Sequence, residues 1–343
     1  MGGGGRGEMA MTESIGPAAC GWTILYDEWR FVPEPRMSPP ASALVGIDWG
    51  TTNRRAWLLA PDGTCAAEAA DDQGVLAARG RFEASLADLL LHLPGVPADA
   101  PVVMSGMIGS AMGWQEVPYI EAGQPLESLA QALVPVPAPT LGRPAAIVPG
   151  VRWRGDGRVD VMRGEETQLL GAVALGVRDG WFVLPGTHSK WAEVRDGRLV
   201  AFQTFMTGEL YALLSTQGTL AAASRDPVAS PAAFEAGVAA ARDGALSTTL
   251  FGCRAKVVTG EMPAAHAASY LSGLLMGAEW HDRRRTWGDR PPAQVHAIGS
   301  RALAEGHAAA AALMRVKLDI LDPREVHLAA LRHLAPRVRQ ALS

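Results

Sequence analysis

The alternation of apolar and polar positions becomes regular shortly after residue 40. The apolar segment ALVGIDW, residues 43–49, predicts a buried strand, and RRAWLLA, residues 54–60, predicts a second one. The PDG triplet at 61–63 is typical of a tight turn, and TCAAEAA, residues 64–70, predicts a third strand. The regular part of the chain therefore opens with a three-stranded meander. Its first bend, residues 50–53, consists of glycine, two threonines and asparagine.

The same arrangement returns in the second half of the chain. Residues 181–205, WFVLPGTHSKWAEVRDGRLVAFQTF, contain an apolar strand, a bend with Gly186 and Thr187, a second strand, an RDG turn and a third strand. One such hairpin is a common structural feature, but two copies with the same order of strands and turns indicate a duplicated unit. Strands alternate with helical segments such as GRFEASLADLLLHL, residues 80–93. The predicted fold class is therefore α/β, with two similar domains.

The two bends have the composition of phosphate-binding loops. Backbone N–H groups in a glycine bend form a concave site for phosphate oxygens, and small hydroxyl side chains do not block the approach. Two such loops that face each other can hold a nucleoside triphosphate. Asp48, at the end of the first strand, is then placed to bind Mg²⁺, which prefers carboxylate, water and phosphate oxygens. The alternative for either loop alone is an ordinary hairpin without a ligand.

Composition and charge make several classes of function improbable. The chain of 343 residues has 48% hydrophobic residues and a formal net charge of -4, which favours neither a nucleic-acid surface nor a membrane surface. Its basic segment HDRRRTW, residues 281–287, is interpreted as a solvated helix end. The three cysteines, Cys20, Cys65 and Cys253, are widely spaced, so we expect no disulfide framework, no zinc site and a cytoplasmic location.

The first 42 residues differ from the rest of the chain. MGGGGRGEMAMTESIGPAAC lacks an amphipathic period, and FVPEPRMSPPAS is rich in proline. We expect a disordered tail over residues 1–42, without a signal peptide or a membrane span, and Met37 is an alternative initiator. The two domains are then expected at 43–175 and 176–343.

Several segments together resemble one family. They are IDWGTTNRRAW, VVMSGMIGSAMGW, VPY, IVPGV, VMRGEETQLLGA, LPGTHSKW, FMTGELYALL and YLSGLLMGAE, which follow one another within residues 43–303. On these segments the chain resembles the 2-dehydro-3-deoxygalactonokinases. The resemblance implies the fold of sugar kinases, actin and heat-shock ATPases, which has two RNase-H-like domains with ATP in the cleft between them. It also implies transfer of the γ-phosphate of ATP, with Mg²⁺, to the 6-hydroxyl of 2-dehydro-3-deoxy-D-galactonate in galactonate catabolism.

The resemblance also implies roles for individual residues. Asp48 would bind the metal, and Arg55, two positions after the asparagine of the first loop, is assigned to the substrate. After AIGSRAL the family usually continues with GD and a helix, whereas this chain has LDPREVHLAAL, so the role of Asp322 is left open. The nucleotide and phosphate contacts would be Gly50, Thr51, Thr52, Asn53, Gly186, Thr187, His188, Gly299 and Ser300.

The segment MRGEETQLLGA supplies the candidate catalytic base. Phosphoryl transfer to an alcohol needs alignment, charge neutralisation and an acceptor for the hydroxyl proton. Glu165, directly after Gly164, is the first choice and Glu166 is the reserve, although both acids could serve only the positive end of a helix dipole. Arg163 could bind the substrate carboxylate in a bidentate manner, or could form an ordinary ion pair with a neighbouring acid.

The segment GMIGSAMGWQEVPYI is the candidate sugar pocket. It combines flexible glycines with the hydroxyls of Ser110 and Tyr119 and the flat ring of Trp114. Core packing is an equally good interpretation of Trp114. His188 and Ser189 are adjacent on a predicted strand, so they should point to opposite faces and are not expected to form a hydrolase dyad.

Two rival functions remain open. A kinase for another sugar or sugar acid, such as the gluco epimer, would share the fold. A non-catalytic nucleotide-binding regulator would lack the carboxylate base and often adds a DNA-binding module. Because Glu165 is present, this alternative ranks lower. The expected partner is a small sugar acid, with no nucleic acid and no membrane. The sequence leaves open a homodimer and the stereochemistry at C4 of the substrate.

Overall fold

The computed structural model describes residues 43–224, 226–288 and 290–341, and the predicted tail at 1–42 lies outside them. The strands are β1 (Leu44–Trp49), β2 (Arg54–Leu59), β3 (Cys65–Asp71), β4 (Val102–Gly106), β5 (Ile120–Glu121), β6 (Val134–Pro135), β7 (Ala145–Ile147), β8 (Val151–Gly155), β9 (Arg158–Met162), β10 (Gly180–Leu184), β11 (Ser189–Arg195), β12 (Arg198–Phe205), β13 (Gln294–Ile298) and β14 (Lys317–Leu321). The helices are α1 (Phe82–His92), α2 (Glu165–Ala174), α3 (Thr207–Thr216), α4 (Gly218–Ala223), α5 (Pro231–Ala240), α6 (Leu246–Val258), α7 (Ala267–Trp287), α8 (Arg301–Leu313) and α9 (Pro323–Ala341).

Two sheets repeat one strand arrangement. The first has the order β3-β2-β1-β4-β7-β6, in which β1 to β3 form an antiparallel meander and β4 and β7 continue the sheet in parallel. The second has the order β12-β11-β10-β13-β14 and is built in the same way. An antiparallel meander extended by two parallel strands is the RNase-H-like arrangement. The predicted α/β fold with a duplicated hairpin unit is therefore confirmed.

The hairpin turns form where the sequence predicts them. In the second hairpin, Asp196 and Gly197 have φ values of +48° and +71°, the conformation of a two-residue turn that matches the twist of its strands. In the first hairpin, the carboxylate of Asp62 accepts hydrogen bonds from both the N–H and the hydroxyl of Thr64. Gly63 completes this turn with a φ of +83°.

Opposite faces of the first sheet are covered by different helices. Val45 and Ile47 of β1 pack in one hydrophobic cluster with Leu86 and Leu89 of α1. The alternate positions of the strand face α9, and a Cβ on Gly46 would lie 2.2 Å from a methyl carbon of Leu331. Glycine at this position therefore allows α9 to lie close to the sheet.

A small third sheet lies against the second large one. It has the order β5-β8-β9, and the β8–β9 hairpin lies beside the edge strand β12. The Asp160 carboxylate of β9 accepts hydrogen bonds from the N–H and the hydroxyl of Thr204, at 2.7 and 2.6 Å. Since β9 leads directly into α2, this contact fixes the approach to the segment that carries Glu165 and Glu166.

The described residues form two compact units. One consists of Tyr211–Ala278 and is helical, and the other runs to Leu210 and resumes at Glu279. All three sheets lie in the second unit. The division of the chain at residues 175 and 176 remains a prediction.

Two smaller expectations concern the surface. None of the helices in the described ranges is long and apolar enough to cross a membrane. The segment HDRRRTW ends α7, but its interpretation as a solvated helix end is wrong for Arg283, which is 5% exposed. The guanidinium of Arg283 lies against the rings of Trp181 and Phe205 and is bonded to Asp282.

Candidate active site

The first predicted phosphate loop, residues 50–53, connects β1 and β2. Its carbonyl groups at 50–52 accept hydrogen bonds from the N–H groups of residues 74–76, over 3.0 to 3.2 Å. The N–H groups of Thr51 and Thr52 donate to no acceptor in the described part of the chain, and both side chains are exposed. The N–H of Gly50 donates to the carbonyl of Asn53 at 2.8 Å, so the loop is held by these contacts while the N–H and hydroxyl donors of Thr51 and Thr52 stay available, as phosphate binding requires.

The second predicted loop connects β10 and β11 and is fixed by the start of α3. The carbonyl of Thr187 accepts a hydrogen bond from the N–H of Glu209 at 2.9 Å, and His188 Nε2 lies 2.6 Å from the Glu209 carboxylate. A Cβ on Gly208 would lie 2.3 Å from the carbonyl oxygen of Gly186. The backbone of α3 therefore touches the loop directly.

His188 and Ser189 point in different directions, as predicted. His188 is exposed and pairs with Glu209, whereas Ser189 is 1% exposed and its hydroxyl donates to Glu279 at 2.8 Å. The indole N–H of Trp191 donates to the same oxygen of Glu279 at 2.7 Å. The two residues do not form a dyad, and Glu279 anchors the strand that follows the loop.

The predicted adenosine residues lie next to the second loop. Gly299 follows β13, the parallel neighbour of β10, and a Cβ on Gly299 would lie 2.8 Å from the ring of Pro185. Ser300 occupies the N-cap position of α8, but its side chain makes no capping hydrogen bond and is exposed. The sheet therefore brings Gly299, Ser300 and Gly186 to one edge.

Three backbone segments meet where Glu165 begins α2. Gly164 has a φ of +113°, and a Cβ there would lie 3.2 Å from the Cα of Gly106. Gly106 has a φ of +90°, and a Cβ there would lie 2.8 Å from the carbonyl oxygen of Trp49 and 3.3 Å from Asp48 Oδ1. Both positions require glycine in conformation and in space. The contacts bring the start of α2 to the end of β1, where Asp48 lies.

Glu165 is half-buried and has an open acceptor. Its Oε2 accepts a hydrogen bond from the N–H of Arg163 at 3.0 Å, and the other hydrogen bond to its carboxylate comes from its own backbone N–H. Burial raises the pKa of Glu165, and the charge of Asp48 adds to this effect. The charge of Lys190 and backbone hydrogen bonds lower the pKa and oppose that rise.

Glu166 lies in a different environment. It is 0% exposed, and its two carboxylate oxygens accept hydrogen bonds from the N–H of Gly164 at 2.9 and 2.7 Å, while the hydroxyl of Thr167 donates at 3.1 Å. Burial and, to a lesser extent, the charge of Glu165 raise the pKa of Glu166 to about 7. The carboxylate of Glu166 is therefore occupied at the N-terminus of α2.

Arg163 and Tyr119 lie together in the predicted sugar pocket. The guanidinium carbon of Arg163 lies 4.3 Å from the centre of the Tyr119 ring, and Nη2 donates to the carbonyl of Val117 at 2.7 Å. Nε and Nη1 are buried without a hydrogen-bond partner, and the side chain forms no ion pair with the described acids. Two donors of Arg163 are thus unsatisfied beside an aromatic face.

The other predicted substrate residues are placed differently. Ser110 donates its hydroxyl to the carbonyl of Met107 at 2.7 Å, which stabilises its own turn. Trp114 is half-buried against the hydrophobic cluster of the first sheet. Arg55 is exposed on β2, directly opposite Asp48 in the antiparallel register. The structure therefore groups Arg163 with Tyr119 and Arg55 with Asp48.

Lys190 was not singled out in the sequence. It is 6% exposed, and its Nζ donates to the carbonyl of Val161 at 2.9 Å and to the hydroxyl of Thr204 at 2.8 Å. Because Ser189 faces inward toward α7, strand alternation turns the next residue toward β9. That alternation, together with the position of Lys190 directly after the GTHS loop, is the signal that could have identified it.

His327 was also missed. Its Nε2 lies 3.6 Å from Asp48 Oδ2, and its ring stacks on Trp57 with 5.1 Å between centroids. His327 belongs to α9, and Asp322 caps this helix by accepting hydrogen bonds from the N–H groups of Arg324 and Glu325. No local pattern connects α9 to β1, so the contact was not accessible from the sequence.

Comparison with known proteins identifies the family. A sequence profile of the 2-keto-3-deoxy-galactonokinases matches residues 48–334. The chain belongs to this family. It is 38% identical over 245 residues to a Rhizobium meliloti (strain 1021) protein named probable 2-dehydro-3-deoxygalactonokinase DgoK1, covering 70% of this chain and 79% of the relative. It is 37% identical over 241 residues to the 2-dehydro-3-deoxygalactonokinase of Escherichia coli (strain K12), covering 68% and 78%.

A solved structure agrees with this assignment. The crystal structure of a Sinorhizobium meliloti protein, provisionally assigned as a 2-dehydro-3-deoxygalactonokinase, superposes with a TM-score of 0.77 at 34% identity. The match covers 85% of this chain and 95% of that one. The kinase-family resemblance predicted from the sequence segments is therefore confirmed.

Proposed function

We propose that the protein is an ATP-dependent kinase that phosphorylates the 6-hydroxyl of 2-dehydro-3-deoxy-D-galactonate in galactonate catabolism. Two family relatives, at 37% and 38% identity, are named 2-dehydro-3-deoxygalactonokinase, one of them as probable. The observation that carries the proposal is the position of the half-buried carboxylate of Glu165. Glu165 is the first residue of α2, and the start of this helix lies close to the end of β1, where Asp48 is located. Each duplicated sheet supplies one loop of available phosphate donors near its strand ends.

ATP is assigned to the two loops and the segment after β13. The N–H groups of Thr51 and Thr52, with the side chain of Asn53, would bind phosphate oxygens on one side, and Gly186, Thr187 and His188 on the other. Gly299 and Ser300 would lie against the adenosine, because both leave space next to the second loop. The use of ATP is the coarser inference, and this assignment adds which residues would contact the nucleotide.

Mg²⁺ is assigned to Asp48. No group of three or more His, Cys, Asp or Glu side chains within the described residues could hold a metal ion. One carboxylate nevertheless fits Mg²⁺, which in kinases is bound mainly by substrate phosphates and water. The ion would neutralise charge on the phosphates during transfer. Asp48 is 28% exposed, and His327 on its buried side limits the orientations of its carboxylate.

Glu165 is the proposed base. Its Oε1 receives no hydrogen bond from any other described residue, so the carboxylate retains an acceptor for the proton of the attacking hydroxyl. Both oxygens of Glu166 are engaged at the N-terminus of α2. This difference supports Glu165 as the first choice and assigns Glu166 to the support of the helix start.

The substrate carboxylate is assigned to Arg163. Two nitrogens of its guanidinium lack a partner, and a carboxylate accepts two parallel hydrogen bonds from this group. The ring of Tyr119 beneath the guanidinium would limit its orientation and pack on the sugar carbons. The remaining residues assigned to the substrate are Arg55, Ser110 and Trp114. Ser110 would shape the pocket through its turn, and Trp114 would do so through its core contacts.

A coupled assay of ADP release tests the proposed activity. The purified protein is supplied with ATP, Mg²⁺ and each of the two 2-keto-3-deoxy sugar acids that differ at C4, with Asp48→Asn as the inactive control. We expect turnover with the galacto acid, a lower kcat/KM with the gluco acid, and none with the control. Equal use of both acids would assign a broader sugar-acid kinase, and ADP release independent of either acid would contradict the proposal.

A further inference from the structure

Lys190 is buried in the interior of the protein, and within the described residues only neutral groups accept its hydrogen bonds. The sequence contains three lysines, Lys190, Lys256 and Lys317, and Lys190 is 6% exposed. An ammonium group has three N–H donors. Two of them are used by neutral acceptors, the carbonyl of Val161 and the hydroxyl of Thr204. Lys190 forms no ion pair with the described acids, although burial of a charge is costly unless it is compensated.

The two hydrogen bonds of Lys190 join the second sheet to the strand that leads to Glu165. Val161 lies on β9, and Thr204 lies on β12. The hydroxyl of Thr204 donates to Asp160 of β9 while it accepts from Lys190. Lys190, Thr204 and Asp160 thus hold the end of β9, from which the chain passes into the start of α2.

The charges around Glu165 come from several elements. Asp48 of β1 and Lys190 of β11 act on it from outside α2, and Arg163 and Glu166 flank it in the chain. Burial and the negative charge of Asp48 raise the pKa of Glu165, which favours the protonated form. Lys190 exerts the largest opposing influence, because its ammonium favours the charged carboxylate.

We propose that Lys190 is a positioning residue of the active site, which fixes the end of β9 and acts on the carboxylate of Glu165 through its charge. The inference rests on the proposed function, since it assumes that Glu165 is the base. The substrate 6-hydroxyl oxygen forms a bond to the γ-phosphorus as the bond from that phosphorus to the bridging oxygen of ADP breaks. The hydroxyl proton passes to Glu165, which accepts it only when the carboxylate is ionised.

The pH dependence of kcat tests this role. Lys190→Met removes the charge and keeps the length of the side chain, and Lys190→Gln removes the charge but keeps a donor. We expect both to move the acidic limb of the profile to higher pH by ~1 unit. Lys190→Arg should leave the limb near its wild-type position because it retains the charge. Lys256→Met, at a lysine whose side chain is 42% exposed, is the matched control and should not move the limb.

The double variant Glu165→Gln/Lys190→Met separates a role through Glu165 from other roles. If Lys190 acts on that carboxylate, the second substitution adds little to the loss caused by the first. A uniform fall in kcat at every pH, multiplied in the double variant, would mean that Lys190 acts independently of Glu165 and would overturn the proposal. Melting temperatures identify a variant that does not fold, and the Lys190→Gln profile then decides.

The outcome for Glu165 remains distinguishable from the outcome for Lys190. If Glu165→Gln retains wild-type kcat, the assignment of the base fails, and the role of Lys190 fails with it. If Glu165→Gln is impaired but the Lys190→Met and Lys190→Gln profiles keep the wild-type acidic limb, only the inference about Lys190 fails.

Discussion

Glu165 and Glu166 are adjacent and chemically identical, yet their surroundings give them different capacities. Glu166 is fully buried and accepts hydrogen bonds from Gly164 and Thr167, so its carboxylate stabilises the first turn of α2. Glu165 accepts only one hydrogen bond from another described residue, Arg163, and keeps an oxygen available for the substrate. These hydrogen-bond partners decide which of the two carboxylates can accept a substrate proton.

The pair provides the first prediction. Glu165→Gln keeps the size of the side chain but cannot readily accept a proton, so we expect kcat to fall by ~10²–10⁴-fold. The KM for ATP should change little, because the assigned nucleotide contacts lie on other segments. Glu166→Gln, the matched control, should lose less than ~10-fold, since its amide oxygen can still accept from Gly164.

Steady-state kinetics with saturating sugar acid measures both variants. Reversed effects would assign the base to Glu166. Small losses in both would mean that alignment and charge neutralisation carry the reaction without a side-chain base.

At the scale of elements, the position of Glu165 depends on how closely α2 approaches β4. Gly164 and Gly106 touch at the point where β9 passes into α2, and both have positive φ. A side chain at Gly164 would push against the backbone of Gly106, which lies close in space to the carboxylate of Asp48. The spacing between the assigned base and the assigned metal ligand is thus set by backbone contacts.

Substitution at Gly164 tests this dependence. Gly164→Ala introduces strain of ~1–3 kcal/mol and a contact of 3.2 Å with Gly106, so α2 must shift. We expect kcat to fall by at least ~10-fold, because small misplacements of catalytic groups are costly. Gly157→Ala, in the β8–β9 turn, also has positive φ but meets no atom within 4 Å.

Melting temperature and kcat are compared for the two variants. Both should be destabilised, and only Gly164→Ala should lose activity. Equal kcat in both variants would show that the approach of α2 to β4 does not control the reaction.

The same elements show how far the sequence was sufficient. The meander of β1 to β3 and its second copy were predictable, because alternation and turn residues are local signals. The contact of His327 with Asp48 was not, because α9 reaches the first sheet only through tertiary packing. Within the site, the sequence could not decide whether Trp114 and Arg163 contact the substrate. The residues around an aromatic ring or a guanidinium in the sequence are the same whether the side chain lies in a pocket or in the core.

At the scale of the whole molecule, buried ionisable groups couple stability to pH. Glu279 is fully buried beneath the second loop, and burial raises its pKa to about 7. His307 is also buried, and burial lowers its pKa to about 3. The folded state therefore keeps Glu279 protonated and His307 neutral over a wide range of mildly acidic pH.

Glu279 yields a prediction with a definite sign. Its folded pKa of about 7 exceeds the ordinary value of 4.5, so its stabilising contribution is complete below pH 4.5 and is lost as pH rises to about 7. Glu279→Gln does not titrate and can still accept from Ser189 and Trp191. The melting temperature of this variant minus that of the wild type should therefore increase from pH 5 to pH 8.

Thermal melts at several pH values measure this difference. Glu116→Gln, at an exposed acid, is the matched control and should keep a constant difference from the wild type. A constant difference for Glu279→Gln as well would mean that Glu279 is ionised in the folded protein throughout this range.

The central claim is that this molecule transfers the γ-phosphate of ATP to O6 of 2-dehydro-3-deoxy-D-galactonate. Phosphorus-31 NMR of the product, with proton–phosphorus coupling, measures this most directly because it identifies the atom that carries the phosphate. We expect ATP and the sugar acid to yield ADP and a phosphate ester coupled to the two protons at C6. Inorganic phosphate alone, or an ester on another oxygen, would contradict the account.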